Sequence, residues 1–358
     1  MPDADRATGN APEVLALLDH VNHASDVRSL ADTASRLGKM MLKLHERGTA
    51  SADISLATSR VGRAVTDRLL VLAEQRLGPP PVAYAFVVAG SQARSEQIAG
   101  SDQDNGMILS DDYLGERHAS YFKQLAKQVC SGLVEAGYRS CPGDIMAINP
   151  HWRRPLVDWR QRFGQWIERA DPDALLKSSI FFDLRCIHGD RQLLDHLRNE
   201  VLNETRSSTL FQARLAAVAL GFRPALGWFG RLRFEHRETR QTMNLKRHGI
   251  TPVVDLARVH ALALGEAALP TRDRLMAAAS RDLISADDAE DLIGAFDRVG
   301  SLRIAHQCRR IRAGERPDYR LRADEIGRNE RKALQRALVT IRNAQQAMAR
   351  RYQAEAFR

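Results

Sequence analysis

The run Gly90-Ser-Gln-Ala-Arg94-Ser-Glu96-Gln97-Ile-Ala-Gly-Ser-Asp102-Gln-Asp104-Asn-Gly-Met-Ile-Leu109 sets a Gly-Ser turn a few residues ahead of two carboxylates. Before it, Pro81-Val-Ala-Tyr-Ala-Phe-Val-Val-Ala89 is an almost unbroken apolar run, which predicts a buried strand over Val82–Ala89. Met107-Ile-Leu109 predicts a second strand over Asn105–Leu109. Gly90 removes the side chain where backbone must approach a phosphate, and Ser91 offers a hydroxyl and an N–H. Arg94 carries a fork of donors suited to phosphate. Glu96 and Gln97 are expected to brace the turn, and Asn105 either orients an aspartate or lies exposed.

Asp102 and Asp104 stand two residues apart, so at the start of a strand both side chains leave from one face. Paired carboxylates suit Mg2+, a hard cation that fills its remaining positions with water and substrate phosphates. In a two-metal arrangement one ion activates the attacking oxygen and the other holds the departing pyrophosphate. A third carboxylate from a neighbouring strand completes such a site, and Asp183 is the candidate. It sits in Ile180-Phe-Phe-Asp183-Leu-Arg185-Cys-Ile-His188, a third predicted strand whose apolar surroundings do not favour a lone charge. The competing reading pairs Asp183 with Arg185 on the same strand face.

Around this centre the pattern is helical. Apolar residues recur at helical spacing from Val14 to Leu77, and Gly78-Pro79-Pro80-Pro81 stops the last of these helices. Residues 1 to about 11 read as a frayed tail. A helix is expected over Tyr113–Ala136, a loop with a short strand at Ile145–Ile148, and one helix carrying Trp152, Trp159, Phe163 and Trp166 as a core stripe. Beyond Gly189 helices are expected over Asp190–Glu204, Thr209–Glu235, Pro252–Ala267, Thr271–Arg281, Ala286–Arg312 and Ala323–Gln353. Lys246 is a candidate contact to a triphosphate or acceptor, with a helix C-terminal charge as the competing reading. His306 and Gln307 are expected as buried polar partners.

At 358 residues the chain has room for two or three domains and a sizeable core. Its net charge of +9 would attract a polyanionic triphosphate. The basic residues are interspersed with Asp and Glu along helical segments, so a nucleic-acid partner is not expected. The four cysteines have no metal-ligand spacing and read as reduced, which points to the cytoplasm. No apolar run suffices to span a bilayer and no signal peptide is evident, so no membrane partner is expected.

Gly-Ser, a short helical turn and Asp-x-Asp on a strand resemble the DNA polymerase β-type nucleotidyltransferase superfamily. The chain is most similar to a bacterial nucleotidyltransferase family related to the N-terminal domain of PII protein uridylyltransferase. Gly90-Ser91-x-x-Arg94-x-Glu96-Gln97, Asp102-Gln-Asp104-Asn105, Cys141-Pro-Gly143, Asn149-Pro-x-Trp-Arg153 and Phe182-Asp-x-Arg185 carry the resemblance in the core. Asn244-Leu-Lys246, His248-Gly-Ile250, Ser301-Leu-Arg303 and Ile311-Arg-Ala-Gly314 carry it in the partner domain. It implies that Gly90 and Ser91 hold phosphates and that Asp102, Asp104 and Asp183 hold metal. The expected fold is α+β: a small mixed-sheet core over residues 79–206, a helical segment over 1–78 and a helical substrate-binding bundle over 207–358. The expected activity is Mg2+-dependent transfer of UMP or AMP from UTP or ATP to a hydroxyl on a protein or small molecule, in a signalling role. The alternative is a nucleotide-binding regulatory module without catalysis.

Overall fold

The computed structural model describes residues 11–237 and 240–357, so the expected tail over residues 1 to about 11 falls almost wholly outside the described residues. The protein is α+β and divides into two compact units. The first takes the chain up to Phe163 together with Ile180–Glu200; the second takes Gly164–Ser179 and everything from Val201 onward.

In the first unit, α1 (Pro12–Asn22), α2 (Thr33–Glu46) and α3 (Ser51–Leu77) lead to β1 (Tyr84–Ala89). A single helical turn, α4 (Gly90–Ala93), follows, then β2 (Asp102–Gln103), β3 (Asn105–Leu109), α5 (Gly115–Glu135) and β4 (Arg139–Ser140). Next come β5 (Arg153–Pro155), α6 (Leu156–Arg169), α7 (Pro172–Ser178), β6 (Leu184–Gly189) and α8 (Arg191–Ser207), with α6 and α8 continuing past the unit's boundary and α7 lying beyond it. The principal sheet has the order β5-β3-β1-β6. β1 pairs antiparallel with both β3 and β6, while β5 runs parallel to β3. Every residue of β1 is buried, which is why that strand reads as a continuous apolar run rather than an alternating one. Beside this sheet β2 and β4 form a short parallel pair.

Three local expectations change. Ile180–Phe182 belongs to a 3-10 turn, so β6 opens at Leu184 and Asp183 sits at its threshold rather than within it. No strand forms at Ile145–Ile148; β5 takes its place beside β3. Trp152 lies outside α6, in a 3-10 turn, and stacks on Phe181 with ring centroids 4.2 Å apart. Trp159, fully buried on α6, donates its indole N–H to the Met107 carbonyl at 3.0 Å. These aromatics serve the core, and the helical period misassigned Trp152 because a short strand interrupts the pattern.

The second unit carries α9 (Thr209–Ala219), β7 (Glu235–Arg237), β8 (Arg240–Asn244), α10 (Thr251–Leu264), α11 (Thr271–Ser280), α12 (Ala286–Arg312), β9 (Arg320–Arg322) and α13 (Arg328–Arg351). The helix expected to reach Glu235 stops at Ala219, ahead of Gly221 and Pro224. The residues beyond it build a small antiparallel sheet, β7-β8-β9, that helical periodicity did not reveal. His306 and Gln307 are buried as expected, and His306 joins Asp318 and Glu325, each at 2.7 Å.

Candidate nucleotide site

The C-terminal end of β1 organises the site. The Ala89 N–H donates to the Asp104 carbonyl at 2.9 Å, and the next N–H, of Gly90, donates to the Asp183 carbonyl at 3.1 Å. Antiparallel neighbours on both sides thus bring Asp104 and Asp183 to either side of one glycine. Gly90 itself has φ +61°, where a side chain is strained. A Cβ there would lie 2.9 Å from Ile180 Cδ1 and 3.7 Å from Asp104 Oδ2, so only glycine leaves this space open. Ser91 follows in α4.

Burial alternates along Asp102–Asn105: Gln103 and Asn105 are buried, while Asp102 and Asp104 are partly accessible. The two aspartates therefore share a face, as their spacing predicts. Asp102 is paired with Arg139 of β4, whose Nε lies 3.1 Å from its carboxylate. Asp104 receives the Cys141 thiol. Burial above all, and then the Asp104 charge and hydrogen bond, push that thiol up to about 12. Asn105 is buried rather than exposed, and it orients backbone, not an aspartate. Its Oδ1 accepts the Ala147 N–H at 2.7 Å, and its own N–H donates to the Ile145 carbonyl at 3.1 Å. It thereby holds the 141–149 loop beside the aspartates.

Asp183 is completely buried. Arg94 Nη1 donates to Asp183 at 2.6 Å while Arg94 Nε donates to Glu96 at 2.8 Å. The arginine expected to meet phosphate therefore links two carboxylates. Arg185 donates to the Ala93 carbonyl at 2.8 Å, holding α4 against the end of β6. Gln97 is buried and its backbone N–H reaches Ser59 of α3 at 2.9 Å, which anchors the turn through the main chain. Its side-chain amide has no hydrogen-bond partner among the described residues, so the bracing expected of Gln97 does not come from its side chain.

Gly90, Ser91, Arg94, Asp102, Asp104 and Asp183 all lie in the first unit. Lys246 belongs to the second, where it opens a π-helical turn leading into α10 and lies 5.1 Å from the centre of the Tyr319 ring. Its position at a helix start removes the C-terminal-charge reading. Arg139, Cys141 and Ile180 line the site without having been singled out as its members. Only Cys141 carried a signal, as part of Cys141-Pro-Gly143.

The donor set fits a hard divalent cation: Asp102 and Asp104 offer oxygen ligands beside a cradle that a Cβ would fill. Among the described residues no three His, Cys, Asp or Glu side chains are grouped to hold a metal ion, and Asp183 is engaged by Arg94.

Residues 35–173 match the family model described as "Putative nucleotidyltransferase DUF294". Residues 209–352 match the model described as "Putative nucleotidyltransferase substrate binding domain". The chain belongs to this DUF294 nucleotidyltransferase family. The membership assigns it nucleotidyl transfer as an activity and makes it a transferase with nucleotide substrates. The first model ends before Asp183, which the Gly90 N–H and the Arg94 side chain hold beside the end of β1. No curated protein matches the chain.

Proposed function

We propose that this DUF294 protein moves UMP or AMP from its triphosphate onto an acceptor hydroxyl, on a protein or a small molecule, with Mg2+. The observation that carries the reading is the end of β1, where Asp104 and Asp183 hang from consecutive N–H groups on either side of Gly90. Gly90 and Ser91 receive the phosphates, Gly90 by leaving room for their approach and Ser91 by offering its hydroxyl and N–H. Asp102 and Asp104 would hold the metal, which when bound offsets phosphate charge and the charge of departing pyrophosphate. The acceptor oxygen forms a bond to the α-phosphorus, the bond from that phosphorus to the pyrophosphate oxygen breaks, and the acceptor's proton passes to a base. Asp183 would be the third carboxylate, to hold metal and to take that proton, and Arg94 positions it through the 2.6 Å ion pair. Lys246, within the matched substrate-binding domain, is a proposed cationic contact for triphosphate or acceptor.

The test is label transfer from UTP and ATP labelled in the α-phosphate, with and without Mg2+, against extract of the native cell. Asp104→Asn is expected to abolish transfer while leaving the fold unchanged by circular dichroism. Transfer that survives loss of both Asp102 and Asp104 would refute the assignment.

The Arg94–Asp183 pair and the lack of a three-ligand group among the described residues favour one second reading, a nucleotide-binding module without catalysis. Titration calorimetry showing tight triphosphate binding, with no pyrophosphate released over long incubation, would decide for it.

A further inference from the structure

Between α9 and β7 the chain runs Leu220-Gly-Phe222-Arg223-Pro-Ala-Leu226-Gly-Trp228-Phe229-Gly-Arg231-Leu232-Arg233-Phe234. At its tip Trp228 is 88 % and Phe229 95 % exposed, the two most exposed large hydrophobic residues described. Burying such side chains is among the largest contributions a residue makes to folding, so full exposure of an adjacent pair needs a reason.

The tip is held in place. Gly227 N–H donates to the Arg231 carbonyl at 2.8 Å and Arg233 N–H to the Ala225 carbonyl at 2.9 Å, closing a narrow neck around the Leu226–Leu232 bridge. Gln335 of α13 donates to the Gly230 carbonyl at 2.9 Å. At the apex Phe229 adopts φ +55° and ψ +26°, a left-handed conformation that a bulky residue rarely takes. Strain of this kind persists where the surroundings impose it, and such positions cluster at functional sites.

The neck is uniformly basic. Arg223, Arg231 and Arg233 are exposed, and no ion pair or hydrogen bond engages their guanidinium groups among the described residues. From Arg206 through Phe234 the sequence contains no Asp or Glu. Aromatic side chains projecting beyond a collar of unpaired arginines match the layering of a membrane surface, with apolar groups at acyl depth and cations at headgroup depth. A groove on a protein would have to enclose two side chains open on nearly every side, whereas a lipid surface closes around them without prior fit.

We propose that the Trp228–Phe229 tip is a peripheral anchor that inserts into an anionic lipid surface, with Arg223, Arg231 and Arg233 on the headgroup phosphates. This goes beyond the expectation of no membrane partner, which rested on the lack of a bilayer-spanning run and of a signal peptide. Among the described residues no helix is long and apolar enough to cross a membrane, and a two-residue tip needs none.

The test is co-sedimentation of the full chain with vesicles of phosphatidylcholine, alone or with about 30 % phosphatidylglycerol. Binding is expected to the anionic vesicles only, to weaken as salt is raised, and to shift the tryptophan emission to the blue. Trp228→Ser with Phe229→Ser should lower partitioning on the order of 100-fold. Arg231→Gln with Arg233→Gln should lower it at least about ten-fold, and both variants should keep the parent melting temperature. Failure to bind anionic vesicles at low salt would overturn the proposal, as would binding that the serine variant retains. Conversion of a dimer to a monomer by the serine variant, without vesicle binding, would also overturn it and assign the tip to a second copy of the chain.

Discussion

Arg94 is the residue on which two roles converge. Its guanidinium joins Glu96, in its own turn, to Asp183 at the threshold of β6, and all three are largely removed from solvent. Removing the arginine would take a charged partner from a buried carboxylate. Arg94→Met is therefore expected to destabilise the protein by about 3–5 kcal/mol, measured by urea denaturation, with Asp183→Asn less damaging because an amide still accepts a hydrogen bond. If Arg94 instead faces solvent and serves only to bind phosphate, its loss would leave stability unchanged and raise KM alone. Gly90→Ala is a second residue-scale test. The left-handed φ and the approach to Ile180 together predict a loss of at least about 1–2 kcal/mol, with triphosphate affinity falling alongside it. Shortening Ile180 to Ala in the same chain should recover only the steric part.

Among the elements, the 141–149 loop is tied down by Arg153, which donates to the Ala147 carbonyl at 2.6 Å, by the Trp152 indole, which donates to the Asp144 carbonyl at 3.0 Å, and by Asn105. Its amide accepts from Ala147 and donates to Gln103 at 3.3 Å, so Asn105→Ala leaves buried backbone N–H and side-chain oxygen without partners. The expected cost is about 1–3 kcal/mol, and hydrogen exchange should show faster opening confined to residues 141–149. This is where reading of the sequence reached its limit. β1 and β3 were legible because strands buried on both faces need continuous apolar runs, and the long helices because their periodicity persists over several turns. β2, β4 and β5 span only two or three residues each, too few for any period to emerge. Asp102 and Asp104 were visible through their spacing. The partners of Asp183, Asp102 and Asn105 were not, because Arg94, Arg139 and Ala147 reach them through tertiary packing that no local pattern encodes. From Leu220 to Phe234 apolar residues fall at helical intervals and mimic a helix, but Gly221, Pro224 and Gly227 break it.

For the molecule as a whole, two histidines in different units set opposite dependences on pH. Burial holds His260 of α10 down to about 4, below its ordinary 6.5, and Arg351 adds to the effect. The unfolded chain therefore binds a proton that the native protein does not over that interval. Stability should fall by about 3 kcal/mol as pH drops from about 6.5 to about 4, and His260→Gln should flatten that slope in urea titrations at successive pH values. His188 of β6 behaves in the reverse sense. Its hydrogen bond to Asp67 at 2.8 Å, assisted by Glu74, raises it above 6.5 against the effect of burial. Its contribution is fully present below about pH 6.5 and is lost as pH rises through the raised value. An NMR titration of the His188 ring should show the raised midpoint, and Asp67→Asn should bring it down.

Successive N–H groups of a strand point to opposite sides, which is how Ala89 and Gly90 come to serve β3 and β6 in turn. The spacing of the two aspartates is therefore counted in peptide units rather than set by the shapes of neighbouring side chains. Apolar exchanges along β1 should be tolerated by such an arrangement, whereas any change in its length should not. Deleting one residue between Ala85 and Val88 would send each amide to the wrong side and part Asp104 from Asp183, even if the core around them still closed. A deletion scan through this strand, compared with an alanine scan of the same positions, would separate the reading frame of the site from its packing.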